Sequence, residues 1–315
     1  MTENILTAFN GQLNLRIAYT YTLNQIYNFL ADVVNQPGFY GITINDISEL
    51  VLIRGEILRL SLPRGEEYDA AALRPRQHIH RAINPRWSAT NRTRVSKFTL
   101  LRYQHDWVPF WSATDLLGLF LSRTGSAPTG ATKRNFYLPL TAVYGKWCSK
   151  LIRTDPPFVV QCTWREAPGE WARFLLGASM AGHEIDTVET GAWGHVLNRA
   201  WYNVICSELL KLKGWSQRVS PSIQARGAKR GKQFGRCSET YPLRFLLCGQ
   251  EAPERVYGLA LSKWFLSAPV YEDRLSGKIW ANLWDPCLNC KEVIRMWNGD
   301  INHILKWYGS EGAPQ

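Results

Sequence analysis

Gly235-Arg236-Cys237-Ser238-Glu239-Thr240-Tyr241 and Asp285-Pro286-Cys287-Leu288-Asn289-Cys290-Lys291 are the two stretches on which the reading of this chain turns. They hold three cysteines and, two residues after the first of them, a glutamate. Pro286 suits the first position of a helix, where its missing N–H costs nothing, and Cys287 and Cys290, three apart, then share one face of the first turn. Thiolates placed there are favoured by the helix dipole, which lowers the pKa of a cysteine at such a position. Gly235 precedes Cys237 as a helix-entry residue. The apolar run Tyr241, Leu243, Phe245, Leu246 and Leu247, ending at Gly249, predicts a buried helix that carries Cys237 at its start. Ile279 to Trp284 alternates and reads as a strand. A helix, a strand and a helix, with cysteines at both helix starts, make one coherent site.

Three thiolates leave one position of a tetrahedral zinc open, and zinc with an open position acidifies bound water to a pKa of about 7. Glu239, adjacent but not a ligand, can take the water's proton and deliver it to a ring nitrogen and then to a departing amine, the proton traffic of hydrolytic deamination. With its C-x-E and P-C-x-x-C motifs, the chain resembles the zinc-dependent cytidine/deoxycytidylate deaminase superfamily over about its last 125 residues. The wording Gly-Arg-Cys-Ser-Glu-Thr-Tyr-Pro, with cysteine as first ligand, is most similar to divergent fungal deaminase-like proteins and bacterial toxin deaminases. The resemblance implies Cys237, Cys287 and Cys290 as zinc ligands, Glu239 as proton shuttle, and an α/β fold. In that fold a helical N-terminal region, residues 1–185, precedes a deaminase-like α/β/α domain, residues 186–315, with a mixed sheet. Residues 240–285 are a long insertion between the two motifs and residues 291–315 a short tail, so the sheet is expected to be shortened.

Another reading is a structural zinc site with a fourth protein ligand. Cys248 lies eleven residues beyond Cys237, about 16 Å along one continuous helix, and is too far. His303 fits better, because Cys287-x2-Cys290-x12-His303 has the spacing of three ligands of a small zinc finger, although no second histidine follows. The alternative function is therefore a catalytically silent zinc module that acts as a binding or interaction protein.

Upstream of Cys237 runs a glycine-spaced basic loop, Arg226-Gly227-Ala228-Lys229-Arg230-Gly231-Lys232-Gln233-Phe234. It is no Walker A loop, since Gln233 stands where Ser or Thr would hold magnesium. It reads either as a solvated turn or as a rim on which Arg226, Lys229, Arg230 and Lys232 contact phosphates and Phe234 offers a stacking face. Asn282 could orient a substrate. The run from Ala70 to His105 carries Arg74, Arg76, Arg81, Arg86, Arg92, Arg94, Lys97 and Arg102 and no acid, and its prolines predict an extended or broken surface segment.

Further helices are expected over Arg16 to Val34, Ser112 to Leu121, Leu140 to Ile152, Glu170 to Met180 and Trp193 to Leu212. The stretch from Ile47 to Leu62 is either helix or helix then strand. The 315 residues carry 37 Lys plus Arg against 26 Asp plus Glu, a net charge of +11 that favours a polyanionic partner, single-stranded nucleic acid or a nucleotide. No apolar run reaches the length of a membrane span, and the start has no secretory pattern, which with seven cysteines predicts a reducing intracellular compartment, cytoplasm or nucleus. Most of the 14 tryptophans are expected to pack the core.

Overall fold

Capping side chains decide where the N-terminal helices begin. In a computed structural model, which describes residues 4–42, 44–61, 81–83, 93–95, 98–103, 106–110, 112–152, 156–166, 172–179, 204–205, 234–271 and 277–311, Asn14 Oδ1 accepts the amides of Arg16 and Ile17 at the start of α1 (Leu15–Ala18). Thr22 and Gln25 form a reciprocal capping box that starts α2 (Leu23–Asn35). The single helix expected over Arg16 to Val34 is therefore two, because Thr22 takes up the amides that a continuous helix would bond itself. Helix α3 (Ile44–Ser61) runs unbroken through Gly55 and removes the strand alternative there. Two antiparallel pairs follow, β1 (Arg81–Ile83) with β2 (Thr93–Val95) and β3 (Phe98–Tyr103) with β4 (Asp106–Phe110), so part of the basic run is extended. Ser112 then caps α4 (Ala113–Thr124), and a π-turn over Lys133–Tyr137 leads into α5 (Leu138–Ile152).

The main sheet comprises β5 (Val159–Arg165), β6 (Arg173–Ala178), β7 (Val256–Ser262) and β8 (Leu283–Trp284), in the order β6-β5-β7-β8. This α/β architecture departs from expectation in two ways. The helix expected over Glu170 to Met180 is strand β6, whose Phe174–Ala178 run is buried throughout; an apolar run that short has no periodicity to separate helix from strand, and the pairing with β5 decides. The sheet is antiparallel at every pairing among the described residues, not mixed, because β5 and β6 form a hairpin and β7 and β8 each return against their neighbour.

Each face of the sheet carries helices. A Cβ on Gly118 of α4 would sit 2.3 Å from the Leu176 carbonyl oxygen, so only glycine lets α4 approach β6 this closely. Trp164 of β5 stacks on Tyr137 with ring centroids 4.0 Å apart. On the other face lies α6 (Thr240–Leu246), whose entry presses Ser238 and Pro242 onto Gly177 of β6. The expected boundary at 185/186 lies outside the described residues; of the helix expected over Trp193 to Leu212 only Val204 and Ile205 are described, and they form a turn and a bend instead of helix. The sheet takes two strands from each side of that boundary, and the described part of residues 1–185 holds six strands beside its helices.

One large core joins α1 to α5 with the sheet, and a smaller one gathers Phe234, Leu243, Leu247, Val293, Ile294 and Trp297 beneath the cysteine motifs. Trp147, Trp164, Trp280 and Trp297 pack into the cores as expected, whereas Trp264, Trp284 and Trp307 are exposed. Lys133, itself buried, donates from Nζ to the Lys306 and Tyr308 carbonyls at 2.6 Å each and to Ser310 Oγ at 2.8 Å, tying the C-terminal segment to the π-turn. Among the described residues no helix is long and apolar enough to cross a membrane.

Candidate metal centre

Gly235 turns the chain with φ +86°, a left-handed conformation that favours glycine, and so delivers Cys237 to the mouth of α6. The Thr240 amide donates to the Cys237 carbonyl at 3.1 Å, and Glu239 occupies the capping position of α6 with its carbonyl accepting from Leu243 at 2.9 Å. The second ligand pair arrives from β8, through α8 (Leu288–Met296). Cys287 is its extended capping residue, Cys290 lies in its first turn, and Pro286 stands just before the cap, two positions ahead of the first helical position expected for it. Cys287 and Cys290 thus sit at a helix start, whereas Cys237 lies in the turn two residues before the cap of α6 and not on that helix. The two motifs are anchored at opposite edges of the sheet, and the turns carry the cysteines toward each other. Ser238 rests on Gly177 of edge strand β6, while Cys287 follows directly from edge strand β8.

The sulfurs of Cys237 and Cys287 are 3.4 Å apart, and those of Cys287 and Cys290 are 3.6 Å apart. All three lie within 4.8 Å of one another, and among the described residues they are the one such group of possible ligands. A tetrahedral zinc with Zn–S bonds of about 2.3 Å needs sulfurs about 3.8 Å apart. The donor set fits a metal ion that prefers thiolate. Cys290 is buried and the other two are half-buried.

Glu239 is buried beside the sulfurs at 5% exposure. Burial, with the charge of Cys287 as the next contribution, raises its carboxyl from the usual range to about 7, while Ser238, donating from Oγ to Oε2 at 3.0 Å, opposes the rise. Within the sulfur trio, Cys287 is held well below the ordinary thiol value, first by its hydrogen bond with Cys237 and then by that with Cys290. Cys237 and Cys290 are pushed up as its partners. Glu239, Cys237 and Cys290 line a cavity of about 10 Å³, roughly the room that one water needs.

Thr240, Asn289 and Trp297 also line that cavity, and sequence reasoning passed over all three. Asn289 lies inside the quoted motif, and its place in the first turn of a helix between two ligands was the available signal. Trp297 Nε1 is buried and has no hydrogen-bond partner among the described residues.

Of the proposed substrate contacts, Phe234 also lines the cavity, but at 1% exposure it is packed against the smaller core and is a wall instead of an open stacking face. Asn282 does not line the cavity. Its Oδ1 accepts from Ser262 Oγ of β7 at 3.0 Å and its Nδ2 donates to the Lys278 carbonyl, so the side chain ties the turn between α7 (Gly277–Trp280) and β8 to the end of β7. That turn also corrects the strand expected from Ile279, because the first part of the stretch is helical and the strand is Leu283–Trp284 alone. Arg226, Lys229, Arg230 and Lys232 lie outside the described residues.

The two candidate fourth ligands stand apart from the sulfurs. Cys248 accepts from Arg244 Nη1 at 3.0 Å. His303 stacks on Tyr257 at 4.4 Å, has its Nε2 3.6 Å from Asp300 Oδ2, and is not in the sulfur group. Comparison with protein-family models, with curated proteins and with solved structures finds no match to this chain.

Proposed function

We propose that the chain is a zinc-dependent hydrolase that removes the exocyclic amine from a nucleobase, cytosine before adenine, in a nucleic acid or nucleotide. The observation that carries this reading is a buried glutamate sharing one small cavity with two of three clustered cysteines. Cys237, Cys287 and Cys290 would hold the ion. Zinc in such a site supplies an acidified water and a Lewis acid. Glu239 would accept the water's first proton and pass it to the ring nitrogen next to the attacked carbon, then take the second proton from the hydroxyl on the tetrahedral carbon and give it to the amine, which leaves as ammonia as the carbonyl forms. Ser238 orients the carboxylate through its hydroxyl.

A second reading has its own observation. A cavity with room for one water admits no base in this conformation, which favours a zinc module that has lost turnover. Product analysis separates the two. Cytosine- and adenine-containing oligonucleotides and nucleosides incubated with the purified protein should yield uracil or hypoxanthine, and Glu239→Ala should keep its metal while losing turnover by at least about a hundredfold. No product from wild type on any of these substrates, with metal bound, would leave the silent module standing.

A further inference from the structure

Three large rings at one end of the main sheet remain open to solvent: Phe158 at 36%, Trp264 at 59% and Trp284 at 38% exposure. They come from separate segments, just before β5, just after β7, and at the end of β8, and the sheet draws them into contact. The Lys263 amide donates to the Phe158 carbonyl at 2.7 Å, fixing two of the segments to each other. The Phe158 ring lies 5.3 Å from that of Trp284 and 6.3 Å, edge-on, from that of Trp264. Lys263 Nζ sits 5.2 Å from the centre of the first ring and 5.7 Å from that of Trp264. Exposed rings in mutual contact are costly on a protein surface and mark a place where something binds.

We propose that Phe158, Trp264 and Trp284, with Lys263, form a platform on which bases of an unpaired nucleic-acid strand stack while the lysine meets the phosphates. The charge selects this occupant. The rings carry a cation among them, Lys278 nearby is exposed, and the chain as a whole is at +11. The neighbouring acid, Asp285, has Oδ1 accepting from the Lys306 amide at 2.8 Å. Stacking on aromatic side chains suits any base, and a lysine beside the rings supplies the backbone contact that such sites combine with it. The placement ties the platform to the cysteine site. Trp284 is three residues before Cys287, a reach of at most about 11 Å. Through the register Gly177, Gln161, Ala260, Trp284, its row across the sheet begins at the glycine under Ser238. A strand lying on the rings would pass beside the cavity that holds Glu239. The platform names the substrate of the proposed reaction as a strand in preference to a free nucleotide, and in that respect rests on it.

The test is fluorescence anisotropy of a labelled oligothymidylate with the full chain across a salt series. Thymine carries no exocyclic amine, so binding is read apart from turnover, and failure of the deamination reading leaves this result intact. Trp264→Ala and Trp284→Ala should each weaken binding about five- to a hundredfold, with Trp264→Phe restoring most of it. Lys263→Ala should lower the slope of log affinity against log salt by about 0.7. Thermal melts of these surface variants should match wild type. Unchanged affinity in both tryptophan variants would overturn the proposal. So would duplex binding as tight as single-strand binding, or a wild-type dimer that Trp264→Ala converts to monomer, since a second copy would then be what covers the rings.

Discussion

Among the described residues two carboxylates are buried at helix starts, Glu239 at α6 and Asp115 at α4, and they differ in what faces them. Cysteines surround the first. Asp115 Oδ2 accepts from Ser112 Oγ at 2.6 Å, while its Oδ1 is buried with no hydrogen-bond partner among the described residues. Burial raises its carboxyl to about 8, against the pull of the Ser112 hydroxyl and the helix cap. An unfolded aspartate titrates near 4, so between about pH 4 and 8 the folded chain holds a proton that the unfolded chain has lost. This group's contribution to stability is therefore full below about pH 4 and is lost as pH rises toward 8. Asp115→Asn removes that dependence. The melting temperature of the variant should gain on wild type between about pH 5 and pH 8, and a difference that stays constant across that range would show that Asp115 does not titrate there.

At the scale of elements, the glycine contacts fix how the helices meet the sheet. A Cβ on Gly177 would fall 2.2 Å from the Ser238 carbonyl oxygen and 2.7 Å from Pro242, both in the turn that presents Cys237 and Glu239. Gly177→Ala should destabilise the fold by about 1 to 3 kcal/mol, as overpacking does, and should also weaken metal retention, because relief comes by moving the ligand turn. Urea denaturation and metal content read the two effects, and a variant equal to wild type in both would refute the contact. The same scale shows what could be read from sequence. Cys237, Glu239, Cys287 and Cys290 were legible because their spacing and helix-start context are local, and the two short motifs carry the site. Strand β6 was not legible, since Phe174 to Ala178 is buried without alternation and its identity depends on pairing with β5. The antiparallel order was equally hidden, because β5 finds β7 about a hundred residues away. Phe234 looked like an open ring beside a basic loop, and nothing local announced that Leu243 and Leu247 would enclose it.

Across the whole molecule, residues 1–185 are part of the sheet that supports the cysteine turns. Strands β5 and β6 come from that half, and Gly177 lies directly under Ser238. The C-terminal segment is held to the same half by Lys133. The geometry of three sulfurs around one point is therefore a property of the full chain. The most direct measurement is the metal content of the purified full chain, by elemental analysis, for wild type and for Cys237→Ser, Cys287→Ser, Cys290→Ser and His303→Ala. The account predicts one zinc per chain in wild type and in His303→Ala, with each serine variant depleted. A wild type without metal, or a site that survives loss of Cys287 but not of His303, would contradict it.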